Sequence, residues 1–326
     1  EAAQATEPTS LVPLMCGAAA FACIGDDRQL PAMVQSQAAK ARGLHESLFE
    51  RLLRAEVVSQ GSGFVQLDVQ RRMHGSIARF PFSFFYDGKI ANGVPNAERP
   101  PVPGIRWPQQ GACRVVFVNT AGRSREESAG TSQCNRLEAK LLAATLASFL
   151  EAEGPNSVRP SEVAVIAGYS AQRDVIRQEI GLATASRCAR GAQQVRLDTV
   201  DGFQGMERDL VLVSTVRANK RGEVGFLSDH RRANVLLTRA RRGLIIFGDW
   251  RTLMSAGDVW EHWLRWLEKQ GGIIHMGNFE RLKEKQGTTE AEVRWTESAS
   301  AACSQGWHWQ RKQDSSQCMG GEDSTP

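Results

Sequence analysis

Four short stretches of this sequence carry side chains suited to phosphate chemistry. In "FACIGDDRQLPA", residues 21–32, an apolar run ends at Ile24 and opens into a polar loop in which Gln29 is suited to hydrogen-bond a phosphate oxygen or a water. In "LDVQRRMHGSIARFPFSFFYDGKI", residues 67–90, a strand gives way to Gln70, Arg71, Arg72, Met73 and His74. A guanidinium there could fork onto a phosphate, with a solvated pair as the plainer reading for Arg71 and a structural role for His74. "TVDGFQGMERDLVLVSTVRA", residues 199–218, has Gly202 and Gly205 for close backbone approach, and Asp201, Gln204 and Glu207 as acceptors. Such a loop fits a ribose, a phosphate or a hinge. The fourth stretch is "RRANVLLTRARRG", residues 231–243. At 100° per residue Ala233, Leu236, Leu237 and Ala240 share one apolar face. Arg239 and Arg232 fall on one flank, at the edge of a cleft, Arg241 on the other, and Arg242 points away into solvent; Gly243 reads as the helix C-cap.

The elements that must hold these residues alternate. Phe64–Leu67, Arg114–Val118, Glu162–Ile166, Val195–Leu197, Leu210–Val216 and Leu244–Phe247 are short apolar, β-branched runs, and Asn135–Glu153 and Ser170–Ile180 between them have helical patterns. Strands alternating with helices predict an α/β fold with a parallel sheet and helices on both faces, whose ligands bind at the carboxyl ends of the strands. A helix over Leu44–Ala55 and the Ser/Gly stretch "SQGSG" at 59–63 place a domain boundary between residues 57 and 60. Trp260, Trp263 and Trp266 could stack bases, but their spacing reads better as a packed helical face. From about residue 282 the chain turns polar, and residues 282–326 are expected to be disordered.

Composition narrows the classes. At 326 residues the chain can bury a sizeable core without disulfides, and its seven cysteines form no CxxC pair, which argues against a zinc site or a secreted disulfide framework. A reducing compartment, cytoplasmic or nuclear, follows. No apolar run approaches the roughly 20 residues that span a bilayer, so no membrane partner is expected. A net charge of +4 permits a nucleic-acid partner without requiring one.

In this order the stretches resemble the superfamily 1 helicases related to the up-frameshift RNA helicase of nonsense-mediated mRNA decay. "GDDRQLPA" is similar to helicase motif III, "QRRMH" with "FPFSFFYDG" to motif IV, "TVDGFQGMERD" to motif V and "RRANVLLTRARRG" to motif VI. Further similarity in "ESLFERLL", "FYDGKIANGV", "VRANKRGEVGFLSD" and "VIAGYSAQRDVI" extends the resemblance over about residues 1–275.

The resemblance implies a RecA-like P-loop NTPase fold, with the end of one RecA-like domain at 1–57 and a second at 60–275. It implies ATP between the two, hydrolysis coupled to 5′ to 3′ movement on single-stranded RNA or DNA, and mRNA-decay factors among the partners. "EAAQATEP" resembles a Walker B motif from its second acidic residue onward, so Glu1 would activate the attacking water, and the preceding aspartate, absent here, would hold Mg²⁺. The chain has no GxxxxGK[ST], so a phosphate-cradling loop is expected upstream of residue 1 and the chain is expected to be a helicase fragment, inactive by itself. Gln29 resembles the glutamine that senses the γ-phosphate, and Arg72 and Arg239 the two arginines that reach across to it. Glu207 resembles the motif V glutamate at the ribose, with Gln204 and Gly205 beside it in the nucleotide site. Thr199, Val200 and Thr215 lie in segments that touch the nucleic-acid backbone or relay its state. Arg71 departs from the family, which has a tyrosine near the base; a planar guanidinium can also stack there. Two other readings stay open: a DNA replication or repair helicase of the same superfamily, and a module that binds nucleic acid or a partner without hydrolysis.

Overall fold

Apolar runs that no polar residue interrupts become the centre of a sheet covered on both faces. The computed structural model describes residues 1–55, 63–185 and 191–282. Its strands in chain order are β1 (Val69–Gln70), β2 (Ala91–Asn92), β3 (Val115–Asn119), β4 (Glu127–Ala129), β5 (Ser132–Cys134), β6 (Val163–Ala167), β7 (Arg196–Thr199), β8 (Arg208–Ser214), β9 (Ala240–Gly248) and β10 (Ile273–His275). The helices are α1 (Glu7–Met15), α2 (Gln37–Ala41), α3 (Leu48–Arg54), α4 (Gly75–Phe85), α5 (Arg136–Leu150), α6 (Ser170–Ala185), α7 (His230–Leu237), α8 (Trp250–Ser255), α9 (Asp258–Lys269) and α10 (Phe279–Leu282). Six strands form one sheet in the order β10-β3-β9-β8-β6-β7, every pairing parallel. This is the α/β architecture with helices on both faces that the alternating pattern predicts, consistent with a RecA-like domain.

Side chains alternate across the sheet, and so does the core. On β3, Val115 and Phe117 face one apolar cluster and Val116 and Val118 the other; on β8, Val211 and Val213 oppose Leu210 and Leu212 in the same way. The tryptophans of α9 close the first face: Trp260 and Trp263 are fully buried, Trp260 Nε1 donates to Leu227 O at 2.8 Å, and Trp266 packs on Phe80. The packed-face reading of these three therefore holds, and bases have no access to the two buried rings.

Three local expectations fail. The helix expected to run on to Gly243 stops at Leu237, with Thr238 as C-cap, because from Ala240 the chain pairs along β8. The 100° projection therefore does not apply beyond Leu237. Gly243 is a strand residue, where a Cβ would stand 2.5 Å from the Trp107 ring. Arg242 is not solvated: it is 8% exposed and donates from Nε to Pro100 O at 3.0 Å, from Nη1 to Asp209 Oδ2 at 3.1 Å and from Nη2 to Asn156 O at 2.6 Å. Phe64–Leu67 forms no strand, Val65 and Leu67 being exposed, and the run ending at Ile24 is irregular, because no neighbouring strand pairs with either among the described residues. The expected domain boundary near 57–60 and most of "SQGSG" lie outside the described residues, as does nearly all of the tail.

Candidate active site

Arg239 is where the chemistry-bearing stretches meet. α7 starts on Asp229, whose carboxylate accepts from Arg231 N at 2.9 Å, and runs out at Leu237, leaving its last carbonyls unpaired within the helix. Arg239 adds a further donor to Val235 O, which already accepts from Thr238 N at 3.2 Å: its Nε donates there at 3.0 Å, while Nη2 donates to Thr238 Oγ1 at 2.8 Å and to Gln29 Oε1 at 3.3 Å. The residue is 2% exposed, and all three partners are neutral oxygens. Burial lowers its pKa to about 10, and the nearby Arg72 charge adds to that; Tyr86, Asp26 and Glu1 act in the opposite sense. At pH 7 it is still a cation, and it is buried without a counter-ion in contact, which is costly unless an anion comes to meet it.

Arg72 reaches the same place from the loop after β1. Its Nη1 donates to Thr238 O at 3.0 Å and its Nε to the Glu207 carboxylate. Thr238 thus holds both arginines, one on its carbonyl and one on its hydroxyl. Glu207 is half-buried, which pulls its pKa up, but the hydrogen bond and charge of Arg72 and the charge of Arg241 hold it below the ordinary value. Arg241 Nη1 lies 3.6 Å from Glu207 Oε1.

Glu1 and Gln29 arrive from the first 55 residues. Gln204 Nε2 donates to Glu1 Oε2 at 3.4 Å, and a Cβ on Gly205 would come within 3.3 Å of Glu1 Oε1. Gly205 sits at φ +76°, a conformation only glycine takes without strain. Glu1, Gln29, Arg72 and Arg239 therefore converge, with Gln204, Gly205 and Glu207 around them. Arg71 stays exposed, its carbonyl accepting from Arg99 Nη2 at 3.4 Å.

The edge of the sheet is not the one expected. Arg239 and Glu207 precede β9 and β8, so the arginine cluster sits at the amino ends of these central strands rather than at their carboxyl ends. The carboxyl ends of β7 and β8 carry the other expected residues. Thr199 is half-buried, its hydroxyl accepting from Gly202 N at 3.4 Å. Val200 is 1% exposed in the core, and Thr215, fully buried, donates from its hydroxyl to Phe247 O at 3.1 Å. Of the three, only the side chain of Thr199 reaches the surface.

His74 caps α4, Nδ1 accepting from Ser76 N at 3.1 Å; burial pushes its pKa down to about 4, helped by the Arg114 and Arg79 charges, so it is a neutral cap. The sequence reading passed over Asp26, Tyr86 and Asn234. Asp26 Oδ2 accepts from Gln29 Nε2 and from Tyr86 Oη, each at 2.6 Å, and Asn234 Nδ2 donates to Tyr86 Oη and to Arg28 O, each at 2.9 Å. Nothing in the spacing of "FFYDG" signals a hydroxyl with two polar partners.

Among the described residues no three His, Cys, Asp or Glu side chains group as a metal site. The carboxylates nearest the arginines are each engaged already: Glu1 by Gln204, Asp26 by Gln29 and Tyr86, and Glu207 by Arg72. This donor set does not fit a Mg²⁺ ion. Among the described residues no helix is long and apolar enough to cross a membrane.

Comparison with known proteins gives the family of the chain. A family model described as "AAA domain" matches residues 44–251, and another of the same description matches residues 1–37. The chain is 36% identical over 284 residues to the Drosophila melanogaster regulator of nonsense transcripts 1 homolog, covering 87% of this chain and 23% of that protein. It is 35% identical over 285 residues to the ATP-dependent helicase NAM7 of Saccharomyces cerevisiae, covering 87% of this chain and 28% of that protein. For the Arabidopsis thaliana regulator of nonsense transcripts 1 homolog the identity is 35% over 285 residues, 87% of this chain and 22% of that protein. The chain spans roughly a quarter of the length of these relatives.

Proposed function

Because this chain belongs to the AAA domain family, whose model matches more than half of its residues, we propose that it supplies the arginine-bearing side of an ATP-hydrolysing site in a helicase. The observation that carries the reading is the meeting of Gln29 with Arg239, a buried cation held by neutral oxygens alone. ATP supplies a γ-phosphoryl group whose negative charge spreads in the transition state. Arg239, already in place, and Arg72 act on that charge as fork donors, and Gln29 orients a phosphate oxygen or the attacking water. Glu1, beside Gln204, accepts the proton of that water. Arg72 has to release Glu207 to do its part, which leaves the Glu207 carboxylate free for a ribose hydroxyl.

The activity of the complete protein in this reading is ATP-driven 5′ to 3′ movement on single-stranded nucleic acid. The names of the relatives favour RNA and regulation of nonsense transcripts; mRNA-decay factors are the partners this reading assigns. Mg²⁺ accompanies ATP on ligands other than the described residues. The strand contacts are assigned to the carboxyl-end segments at Thr199, Val200 and Thr215. With two of those side chains buried, backbone groups make the contacts, and binding is tolerant of sequence and sensitive to salt. The cytoplasmic assignment rests on the sequence alone. The test is ATP turnover by the complete protein with and without single-stranded RNA or DNA, together with unwinding of duplexes bearing a 5′ or a 3′ overhang. Stimulation by the strand and unwinding from the 5′ overhang are expected; turnover indifferent to nucleic acid contradicts the reading.

A further inference from the structure

Gln29 has two ends, and a primary amide does not choose between them by shape alone. Its Nε2 donates to Asp26 Oδ2 at 2.6 Å and its Oε1 accepts from Arg239 at 3.3 Å. Turned over, the amide would set its NH₂ against the guanidinium and its oxygen against the carboxylate, both repulsive. The direction in which the Asp26 carboxylate points therefore decides which end of Gln29 meets Arg239.

Three donors fix that carboxylate: Arg28 N on Oδ1 at 2.9 Å, and Gln29 Nε2 and Tyr86 Oη on Oδ2. Two come from the loop itself and would travel with it. The third, Tyr86, is the C-cap of α4, and its hydroxyl also accepts from Asn234 Nδ2 at 2.9 Å. Asn234 lies on α7 next to Val235, whose carbonyl grips Arg239, and it also donates to Arg28 O. One phenolic hydroxyl thus ties the loop carrying Gln29 to the helix that holds Arg239. Its neighbours keep it protonated: burial, then the Asp26 charge, push its pKa well above the ordinary value.

We infer that Tyr86 is a positioning residue for ATP hydrolysis, acting through Asp26 to hold the amide of Gln29 against Arg239. This rests on the reading of Gln29 and Arg239 proposed above. Tyr86→Phe keeps the ring and removes the hydroxyl. In nucleic-acid-stimulated ATP turnover by the complete protein, kcat is expected to fall about tenfold, the worth of one oriented hydrogen bond, with KM for ATP changed less than about twofold. In a Gln29→Ala background the same substitution should cost less than about twofold more, because its target is gone.

Asp26→Asn, which keeps the shape but turns one acceptor into a donor, is expected to give the same loss and the same lack of additivity, and it serves as the test should Tyr86→Phe not fold. Unchanged kcat in Tyr86→Phe, or a loss that persists in full in the Gln29→Ala background, overturns the inference while leaving the roles of Gln29 and Arg239 intact. Unchanged kcat in both Gln29→Ala and Arg239→Ala overturns those roles, and the inference with them.

Discussion

Arginines divide the labour at the scale of single residues. Arg239 is buried on three neutral oxygens, whereas Arg242, two positions past the start of β9, donates to Asp209 and to two carbonyls. The two look alike in the sequence, and neither buried place was legible there. Arg239 was placed at the edge of a cleft and Arg242 in water, because the helical projection was carried past Thr238. Motif order singled out Arg239 as a residue that reaches for the γ-phosphate; its meeting with Gln29 and the place of Arg242 come from the fold. Arg242→Ala strips a buried carboxylate of one of its two arginines and leaves Pro100 O and Asn156 O without a donor. It should destabilise the chain by roughly 2–4 kcal/mol in chemical denaturation. ATP chemistry should suffer only as far as folding does.

Elements show why the arginines come together. Only Arg239 separates the C-cap of α7 from β9, so one short turn puts a helix C-terminus, Thr238 and a buried guanidinium at the amino end of the central strands. The strands themselves were readable, since VVFVN, VAVIA and DLVLVS are runs that only a doubly covered parallel sheet buries. What the runs do not encode is where a helix yields to a strand when both are apolar: Leu236, Leu237 and Ala240 suit either, and pairing with β8 decides. Nor do they say which edge faces the ligand, and the rule of carboxyl ends pointed away from the arginine cluster. Gly243 illustrates the price of this tight join. Gly243→Ala drives a methyl to 2.5 Å from the Trp107 ring inside the sheet. It should cost about 1–3 kcal/mol, read as a lowered unfolding midpoint; a variant as stable as the parent would mean that Trp107 yields freely.

Over the whole molecule, two buried titratable groups set how stability responds to pH. Glu138 on α5 is fully buried; it accepts from Ser214 Oγ at 2.6 Å, from Val216 N at 2.9 Å and from Asn135 Nδ2 at 3.1 Å. These bonds hold Val216 in a left-handed turn at φ +71° at the end of β8. Burial nonetheless pushes its pKa from 4.5 to about 8, against its hydrogen bonds and with the charge of Asp249 adding to the rise. A raised carboxyl favours the folded state below pH 4.5 and loses that contribution as pH climbs to about 8. His74, lowered from 6.5 to about 4, works in reverse: its contribution is complete above pH 6.5 and is lost on acidification. Between pH 4.5 and 6.5 the two slopes cancel. Between 6.5 and 8 Glu138 acts alone, and unfolding free energy should fall by about 2 kcal/mol across that window. Glu138→Gln should flatten that fall and, with its slope gone, uncover the rise due to His74 between pH 4.5 and 6.5; a parent profile already flat from 6.5 to 8 would show that the carboxyl ionises freely in the fold.

At the same scale the claim that joins all the parts is that Arg239 waits for the charge of a transferring phosphoryl group. The direct measurement is nucleic-acid-stimulated ATP turnover by the complete protein carrying Arg239→Ala, alongside its affinity for single-stranded RNA. The prediction is a fall in kcat on the order of 10³-fold or more, with strand binding retained because the segments proposed for those contacts lie at the other edge of the sheet. Arg239→Lys should rescue little of it, since a single ammonium cannot serve three separated acceptors and a phosphate. Turnover at the parent rate in Arg239→Ala would contradict the account.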